Sequence, residues 1–171
     1  MSYVSLEEIM QFSLGKNPTR LKENEIAYTA EEFETDLQGC HDYKEECIIN
    51  LIKSKASPLS ERSVNKCITS NFLKCIFDTN ALDPWYFCYQ FNEGKGFEQQ
   101  IVMCHQGTTL SVKKLNTSLI GKMQINLLPI EKQRIIGKIY KQTIVQTLLM
   151  QRQAENYKEL TLQTLRMIEE D

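Results

Sequence analysis

Long apolar runs are missing from this sequence, which contains no stretch of about 18 apolar residues as a membrane-spanning helix requires. The opening residues, MSYVSLEEIM, lack the basic-then-apolar order of a secretory signal. We therefore expect a protein that neither spans nor crosses a membrane and that is cytoplasmic. At 171 residues the chain is long enough for one substantial core with a small appendage, and too short for two full domains.

Closely spaced cysteines are also missing. Zinc sites usually use cysteines about two to four residues apart, and no two of the six cysteines are that close. A disulfide framework belongs to short secreted chains, so we predict free, buried thiols. The alternative is a metal bound where Cys40-His41 meets Cys104-His105. Adjacent side chains rarely both bind one ion, so we expect no metal site.

Catalytic motifs are scarce as well. Gly94-Lys95-Gly96 lacks the third glycine of a dinucleotide site, and no phosphate-binding loop of the Walker type occurs. The segment 83–86, Asp-Pro-Trp-Tyr, is similar to the Asp-Pro-Pro-Tyr motif of adenine methyltransferases. It lacks the second proline, and no glycine-bearing cofactor strand precedes it. We interpret it as a helix start whose aromatic side chains pack inside.

Basic charge is not in excess, because the formal net charge is -2 at pH 7. Since phosphate neutralisation provides non-specific affinity, the chain does not bind nucleic acid merely by being basic. The charges are nevertheless segregated: Glu23 to Glu46 holds nine acids and one lysine, whereas Cys47 to Lys122 holds nine Lys or Arg and five acids. A charged run is usually a solvated face, but the second segment also suits a phosphate-facing surface.

Short segments of mixed character predict an α+β domain. Residues 2–12 suit a short capped helix or an edge element, and SLGKNPTR (13–20) is a loop held by glycine and proline. LDPWYFCYQFNE (82–93) has an acid and a proline where a helix would begin. Segments that mix β-branched or aromatic residues with polar ones predict strands: EIAYTA, CIINLIKSK, NKCITSNFLKCIF and QQIVMCHQG.

One long helix is predicted from Pro129 to the C-terminus, because Gly137 is the only glycine or proline after Pro129. It would extend roughly 60 Å, longer than a small domain is wide. Between Ile135 and Leu149 apolar residues surround most of the helix, which predicts cover on more than one side. Beyond that, a single stripe suits one partner helix: Met150, Ala154, Tyr157, Thr161, Thr164, Leu165 and Ile168. The alternative is a helix folded back into an ordinary core.

Three segments, in this order, resemble the specificity subunit of type I restriction-modification enzymes. The first is SLGKNPTR, and the second runs from Ile48 to Asn92 through ITSNF and LDPWYFCYQF. The third is HQGTTLSVKKLNTSLIGKMQINLLPIEKQRIIGKIY. There the family's Gly-Ser/Thr-Thr turn, Ile-x-Leu-Pro strand exit and Glu-Gln pair correspond to these residues: Gly107, Thr108, Thr109, Ile125, Leu127, Pro129, Glu131 and Gln133.

The resemblance implies a globular target-recognition domain over 1–127, followed by a spacer helix over 128–171 that pairs with a partner helix. A full-length family member carries two such units, and this chain carries one, so we expect a homodimer that recognises a split, palindromic target. The subunit itself would be non-catalytic and without a cofactor. The implied partners are double-stranded DNA, a methyltransferase subunit that binds S-adenosylmethionine, and a restriction or motor subunit. The rival hypothesis is a helical interaction protein, such as a truncated competitor for assembly, that recognises no DNA.

Candidate contact residues follow from residue chemistry. Lys and Arg neutralise phosphates or bind guanine edges, Asn pairs with adenine, and Ser and Thr bond to either. The predicted DNA contacts are Lys16, Asn17, Thr19, Arg20, Lys53, Ser54, Lys55, Arg62, Lys66, Lys113 and Lys114. The helix residues assigned to packing between subunits or against the domain are Ile136, Tyr140, Met150, Tyr157, Leu165 and Ile168.

Overall fold

A four-stranded antiparallel sheet is the centre of the structure, a computed structural model that describes residues 3–105 and 114–170. Its strands lie in the order β2-β5-β3-β4, and a separate two-stranded sheet pairs β1 with β6. The elements in chain order are β1 (Tyr3–Ser5), α1 (Leu6–Ile9), β2 (Met10–Leu14), α2 (Ala30–Leu37), β3 (Tyr43–Asn50), β4 (Lys55–Ser60), β5 (Phe72–Phe77), α3 (Pro84–Glu93), α4 (Lys95–His105), α5 (Thr117–Lys122), β6 (Gln124–Asn126) and α6 (Ile130–Glu170). The predicted α+β class with a long C-terminal helix is confirmed.

The sheet has a hydrophobic layer on each face, because neighbouring residues of a strand point to opposite sides. In β3, Ile49 belongs to the larger core with the aromatic side chains of α3, while Ile48 belongs to a smaller cluster with Tyr28 and Phe33. Both faces of β3 are therefore covered, which explains why the apolar run CIIN forms a strand without polar alternation.

Helix α3 begins where the sequence predicted. Asp83 caps it by accepting a hydrogen bond from Tyr86 N at 2.8 Å, and Pro84 occupies the first helical turn. Burial raises the pKa of the Asp83 carboxyl, while hydrogen bonds from the backbone N–H groups of Tyr86 and Trp85 act in the opposite direction. The methyltransferase-like tetrapeptide thus serves as a helix cap whose aromatic residues are buried.

Two predicted strands are wrong. Residues 99–105 of QQIVMCHQG lie in α4, where Phe97, Ile101 and Cys104 follow helical spacing and pack on the main core. EIAYTA contains only an isolated bridge between Ala27 and Cys67. Its Thr29 instead forms a reciprocal capping box with Glu32 and starts α2, a helix that the sequence analysis missed.

Two other predicted strands are shorter than expected. NKCITSNFLKCIF becomes extended only at Phe72, where β5 begins. CIINLIKSK is interrupted after Asn50, because the Asn50 side chain accepts hydrogen bonds from the backbone N–H groups of Ile52 and Lys53 at 3.1 and 3.0 Å. These bonds fix a turn over residues 51–54. At the N-terminus, the helix and the edge element that were alternatives for residues 2–12 occur in succession as β1, α1 and β2.

The predicted free thiols agree with the structure, in which none of the six cysteines forms a disulfide. Cys47, Cys75 and Cys88 are buried, and burial raises the pKa of Cys47 and Cys75 well above that of an ordinary thiol. The exposed Cys40 departs from the expectation that the thiols are buried. Within residues 3–105 and 114–170, no cluster of three or more His, Cys, Asp or Glu is arranged to hold a metal ion, and no helix is long and apolar enough to span a membrane.

The N-terminal part of α6, here called its base, is hydrogen-bonded to and packed against the start of α3. The Gln133 side chain is fully buried; it accepts a hydrogen bond from Asp83 N at 3.0 Å and donates to the carbonyls of Ala81 and Leu128 at 3.0 and 2.7 Å. One turn later Gly137 lies directly against α3, where an added Cβ would be 2.2 Å from Asp83 Oδ1 and 2.8 Å from Tyr86 N. The helices can cross at this distance only because residue 137 has no side chain.

Replacing Gly137 with Ala should therefore destabilise the protein. The methyl group meets backbone and a capping carboxylate, so we expect a loss of about 1–3 kcal/mol in the free energy of unfolding, despite the higher helix propensity of alanine. Urea unfolding followed by circular dichroism measures this loss. Gly96 in α4 is the matched control, since an added Cβ there has nothing within 4 Å. Equal stability of the two alanine variants would contradict the proposed close crossing.

Candidate nucleic-acid interface

Four loops meet at one end of the central sheet, here called the loop end: residues 15–20, 51–54, 69–71 and 114–116. Lys16 N donates to Ile68 O, and Ser70 N donates to Lys16 O, both at 2.8 Å. Leu51 N donates to Asn71 O, and Leu115 N donates to Leu51 O, both at 2.9 Å. Segments distant in sequence therefore form one continuous surface.

The first of these loops is rigid. Gly15 approaches the 68–69 backbone so closely that an added Cβ would be 2.1 Å from Thr69 O. Asn17 Oδ1 accepts hydrogen bonds from both Thr19 N and Thr19 Oγ1, which closes a short 3-10 turn over Pro18–Arg20. Arg20 is exposed, and no partner for its guanidinium is found in the part of the chain that the structure describes. The loop thus presents an uncompensated cation from a fixed backbone.

The β3-β4 turn is the second rigid element. Asn50, only 4% exposed, binds the amide N–H groups of the turn, and Ser54 adopts the left-handed conformation with φ of 53°. A non-glycine residue rarely adopts this conformation, so the turn is held in place by its surroundings. Lys53 and Ser54 are accordingly presented from a fixed turn beside Asn71.

The predicted contact lysines are largely ion-paired. Lys16 Nζ lies 2.8 Å from Glu25, and Lys53 Nζ lies 2.6 Å from Glu34. The remaining pairs are Lys55 with Glu93 and Lys66 with Glu32. The charge segregation along the chain is therefore not preserved in space, because acids of the 23–46 segment neutralise lysines at and near the loop end. The phosphate-facing surface of the 47–122 segment stays a prediction, and two of its lysines, Lys53 and Lys66, contact these acids.

The pair of Lys16 and Glu25 shifts the pKa of both of its members. The hydrogen bond from Lys16 holds the pKa of Glu25 below its ordinary value, aided by a second bond from Lys22 N. The same hydrogen bond raises the pKa of Lys16. Both groups therefore stay charged through the neutral pH range.

The structure brings most of the predicted contact residues together and separates others. Those at the loop end are Lys16, Asn17, Thr19, Arg20, Lys53, Ser54 and Lys114. Lys55 begins β4 just beyond it and donates to Asn92 O at 2.8 Å. Lys66 lies on the segment returning between β4 and β5. Lys113 and the turn Gly107 to Thr109 lie outside the described residues.

Arg62 does not belong to the loop end. It follows β4, whose last residue, Ser60, pairs with Tyr43 at the start of β3. That is the end of the sheet opposite the 51–54 turn. Arg62 therefore lies apart from Lys53, because an antiparallel strand of six residues separates the two positions, and its DNA contact stays a prediction.

Ser70 and Asn71 are central to the loop end but were not selected from the sequence. Lys114 Nζ donates to Ser70 O at 2.6 Å, which places another ammonium group directly over this turn. Asn71 is exposed and offers a side-chain amide beside it. Both residues were predicted to lie inside a strand, although Ser and Asn just before an apolar strand are typical turn residues.

The long helix has two parts. Ile136 and Tyr140 pack against their own domain, and Tyr140 Oη accepts a hydrogen bond from Asn92 at 3.2 Å. Residues 149–170, here called the arm, are all exposed, including Met150, Leu165 and Ile168, with Tyr157 73% exposed. Ile135 and Ile139 are exposed too, so within one chain the expected cover on more than one side of the base is wrong.

An apolar groove of about 370 Å³ lies beside the helix base, lined by Tyr89, Ile136, Ile139, Tyr140 and Thr143. The exposed Ile139 side chain lies on the same face of α6 as Met150 and Tyr157 at the helical repeat. The groove and the stripe of the arm therefore lie along one face of α6, with Thr143 and Gln146 between them.

Solved structures with this architecture are known. A chain in a structure describing complex assembly and conformational transition of the type I restriction-modification system aligns over 94% of this chain, with a TM-score of 0.63 and 15% identity. The HsdS subunit from Thermoanaerobacter tengcongensis aligns over 90%, with a TM-score of 0.57 and 14% identity. The chain has the fold of a type I restriction-modification specificity subunit.

The present chain spans about two fifths of the length of those neighbours, covering 42% and 39% of them. It thus corresponds in size to roughly half of a specificity subunit. No protein-family model matches the sequence, and no curated protein matches it either. The similarity therefore lies in the fold.

Proposed function

We propose that this chain is a DNA-binding half-subunit that gives sequence specificity to a type I restriction-modification complex. The observation that carries the proposal is a rigid, multi-loop surface on a specificity-subunit fold, joined to a helix whose last 22 residues (149–170) are left uncovered by residues 3–105 and 114–148. Within this proposal, residues 1–127 recognise DNA and residues 128–171 form the spacer and dimerisation helix.

The loop end is the proposed DNA-contacting surface. Arg20 and Lys114 supply positive charge for phosphates or guanine edges, and Asn17 and Asn71 supply amide groups. Amide and guanidinium groups on a fixed backbone suit base recognition, because bidentate contacts tolerate little misplacement. Lys16, Lys53 and Lys55 contribute once a phosphate replaces their carboxylate partners.

The arm is the proposed dimer contact. A helix with an uncovered apolar stripe about 30 Å long is expected to associate, because association removes this apolar surface from water. In an antiparallel pair, the tip of one arm reaches the base of the other, where the groove around Tyr89 and Ile139 offers further apolar surface. Two recognition domains related by a two-fold axis would recognise a bipartite palindrome.

Catalysis is assigned to partner subunits. Under this proposal the dimer recruits methyltransferase subunits that bind S-adenosylmethionine and modify adenine, and a restriction or motor subunit joins through the complex. The rival function is a truncated assembly competitor that recognises no DNA. It is favoured by the ion pairing of the predicted contact lysines.

Replacing Arg20 with Ala should weaken duplex binding by about 1–3 kcal/mol, roughly ten- to hundred-fold, because the residue is an unpaired cation at the loop end. Arg62→Ala is the matched control at the opposite end of the sheet and should change binding by less than about 0.5 kcal/mol. Fluorescence anisotropy measures both, with a duplex that contains the motif modified when the chain is co-expressed with a methyltransferase subunit. Equal losses would remove the loop end from the site.

Placing a charge in the stripe should dissociate the dimer. Tyr157→Glu, combined with Ile168→Glu, buries carboxylates between two helices, so we expect monomers where the wild type is dimeric. Gln163→Glu, which adds a carboxylate away from the stripe, should remain dimeric. Sedimentation equilibrium distinguishes these states, and a monomeric wild type at high concentration would refute dimerisation through the arm.

The decisive experiment is co-expression with an adenine methyltransferase subunit of a type I system from the same genome, followed by co-purification and sequencing of the methylated genomic DNA. The specificity half-subunit predicts a stable complex and one palindromic, interrupted methylation motif. A complex without a defined motif would instead support the assembly competitor.

A further inference from the structure

The acid-rich segment from Glu23 to Glu46 has no role in the proposed function, yet it lies against the loop end. Glu25 contacts Lys16 Nζ at 2.8 Å, and Glu34 of α2 contacts Lys53 Nζ at 2.6 Å. Glu32 of the same helix contacts Lys66. Three lysines predicted to bind DNA thus each face a carboxylate from this one segment.

The backbone segments that carry the Glu25 and Glu34 carboxylates are anchored on the domain. Glu25 Oε2 also accepts a hydrogen bond from Lys22 N at 3.2 Å, which fixes the side chain over its own turn. Glu34 is carried by α2, whose Thr29-Glu32 capping box and buried Phe33 anchor the helix on the sheet. Each oxygen therefore occupies a site beside an ammonium group that a DNA phosphate oxygen would need.

The ion pairs are also accessible. The side chains of Lys16 and Lys53 are 56% and 51% exposed, so a duplex can reach both ammonium groups. Exposed pairs of this kind are weak and open readily in water. A DNA backbone can therefore displace the carboxylates, but it gains less than it would from free lysines, because an existing charge contact is lost for each one formed.

We propose that Glu25 and Glu34 act as internal competitors of the DNA backbone, which lower the affinity of the domain for DNA of arbitrary sequence. This inference rests on the proposed function and assigns specificity-determining roles to two acids that make no DNA contact themselves. With the phosphate contribution reduced, residence on DNA depends more strongly on Arg20 and the amide groups of the loop end. The same pairing explains how a chain with net charge -2 retains lysines at a DNA-facing surface.

The test compares two doubly substituted full-length chains of equal charge. Glu25→Gln with Glu34→Gln frees Lys16 and Lys53, whereas Glu7→Gln with Glu45→Gln removes two exposed acids at the opposite end of the sheet. Binding of a random-sequence duplex is measured by anisotropy between about 50 and 200 mM salt. Each freed lysine should steepen the slope of log K against log salt by about 0.9, and the first variant should bind roughly ten-fold tighter at low salt.

A double-mutant cycle separates local competition from a general effect of charge. The gain from Glu25→Gln should disappear in a chain that also carries Lys16→Gln, because no ammonium group is left to free. Identical behaviour of the two double variants, or a gain that persists without Lys16, would overturn the inference while leaving the proposed function intact. Absence of duplex binding by the wild type and every variant at low salt would overturn both.

Discussion

The contact between the base of α6 and the start of α3 determines how the globular domain and the arm are joined. Gln133 replaces water for one N–H and two carbonyl groups that would otherwise be buried without partners, and Gly137 lets the two backbones touch. Four residues apart on one face of α6, they fix both the position and the rotation of the helix. The direction of the arm is therefore set inside the domain, before any partner is present.

Aromatic residues of α3 pack around the same contact. Trp85 and Tyr89 pack against Tyr140 with ring centroids 6.3 and 5.5 Å apart, and Lys141 lies over the rings of Trp85 and Tyr43. Burial and the nearby carboxylate raise the pKa of Tyr140 to about 12, so its hydroxyl stays protonated and available to Asn92 and Glu93. Tyr140 of α6 thus contacts α3 directly and, through Asn92, is linked to the edge strand β4.

Sequence patterns predicted the elements whose signals are local. Helix α3 has Asp83 and Pro84 at its start, and α6 is a long run of strong helix formers, so both were found. The motif residue Gln133 was noticed through the family resemblance, and the structure gives its physical reason as a buried hydrogen-bonding hub. Helix α4 was mistaken for a strand because Ile101 and Val102 favour extended structure when their helical contacts with the core are unknown.

The loop end was only partly predictable, because it depends on contacts between residues far apart in sequence. Strand register places Leu14 beside Leu73, and Asn50 beside Phe72, which brings their following loops together. No local pattern reveals that Glu34 would reach Lys53, or that Arg62 would lie at the other end of the sheet. Side-chain chemistry identified candidate DNA contacts in the sequence. The fold was needed to show which of these candidates lie together.

Asn92 has a consequence for solubility. Its amide imitates a neighbouring strand, accepting from Ala56 N at 2.7 Å and donating to Ala56 O at 2.8 Å, while Pro58 in the same outer strand has no N–H to offer. The edge strand β4 is thus partly unable to pair with a strand of another chain. In the proposed dimer, two globular domains joined by one pair of arms would be at a high effective concentration relative to each other, and this closed edge would hinder aggregation through strand pairing.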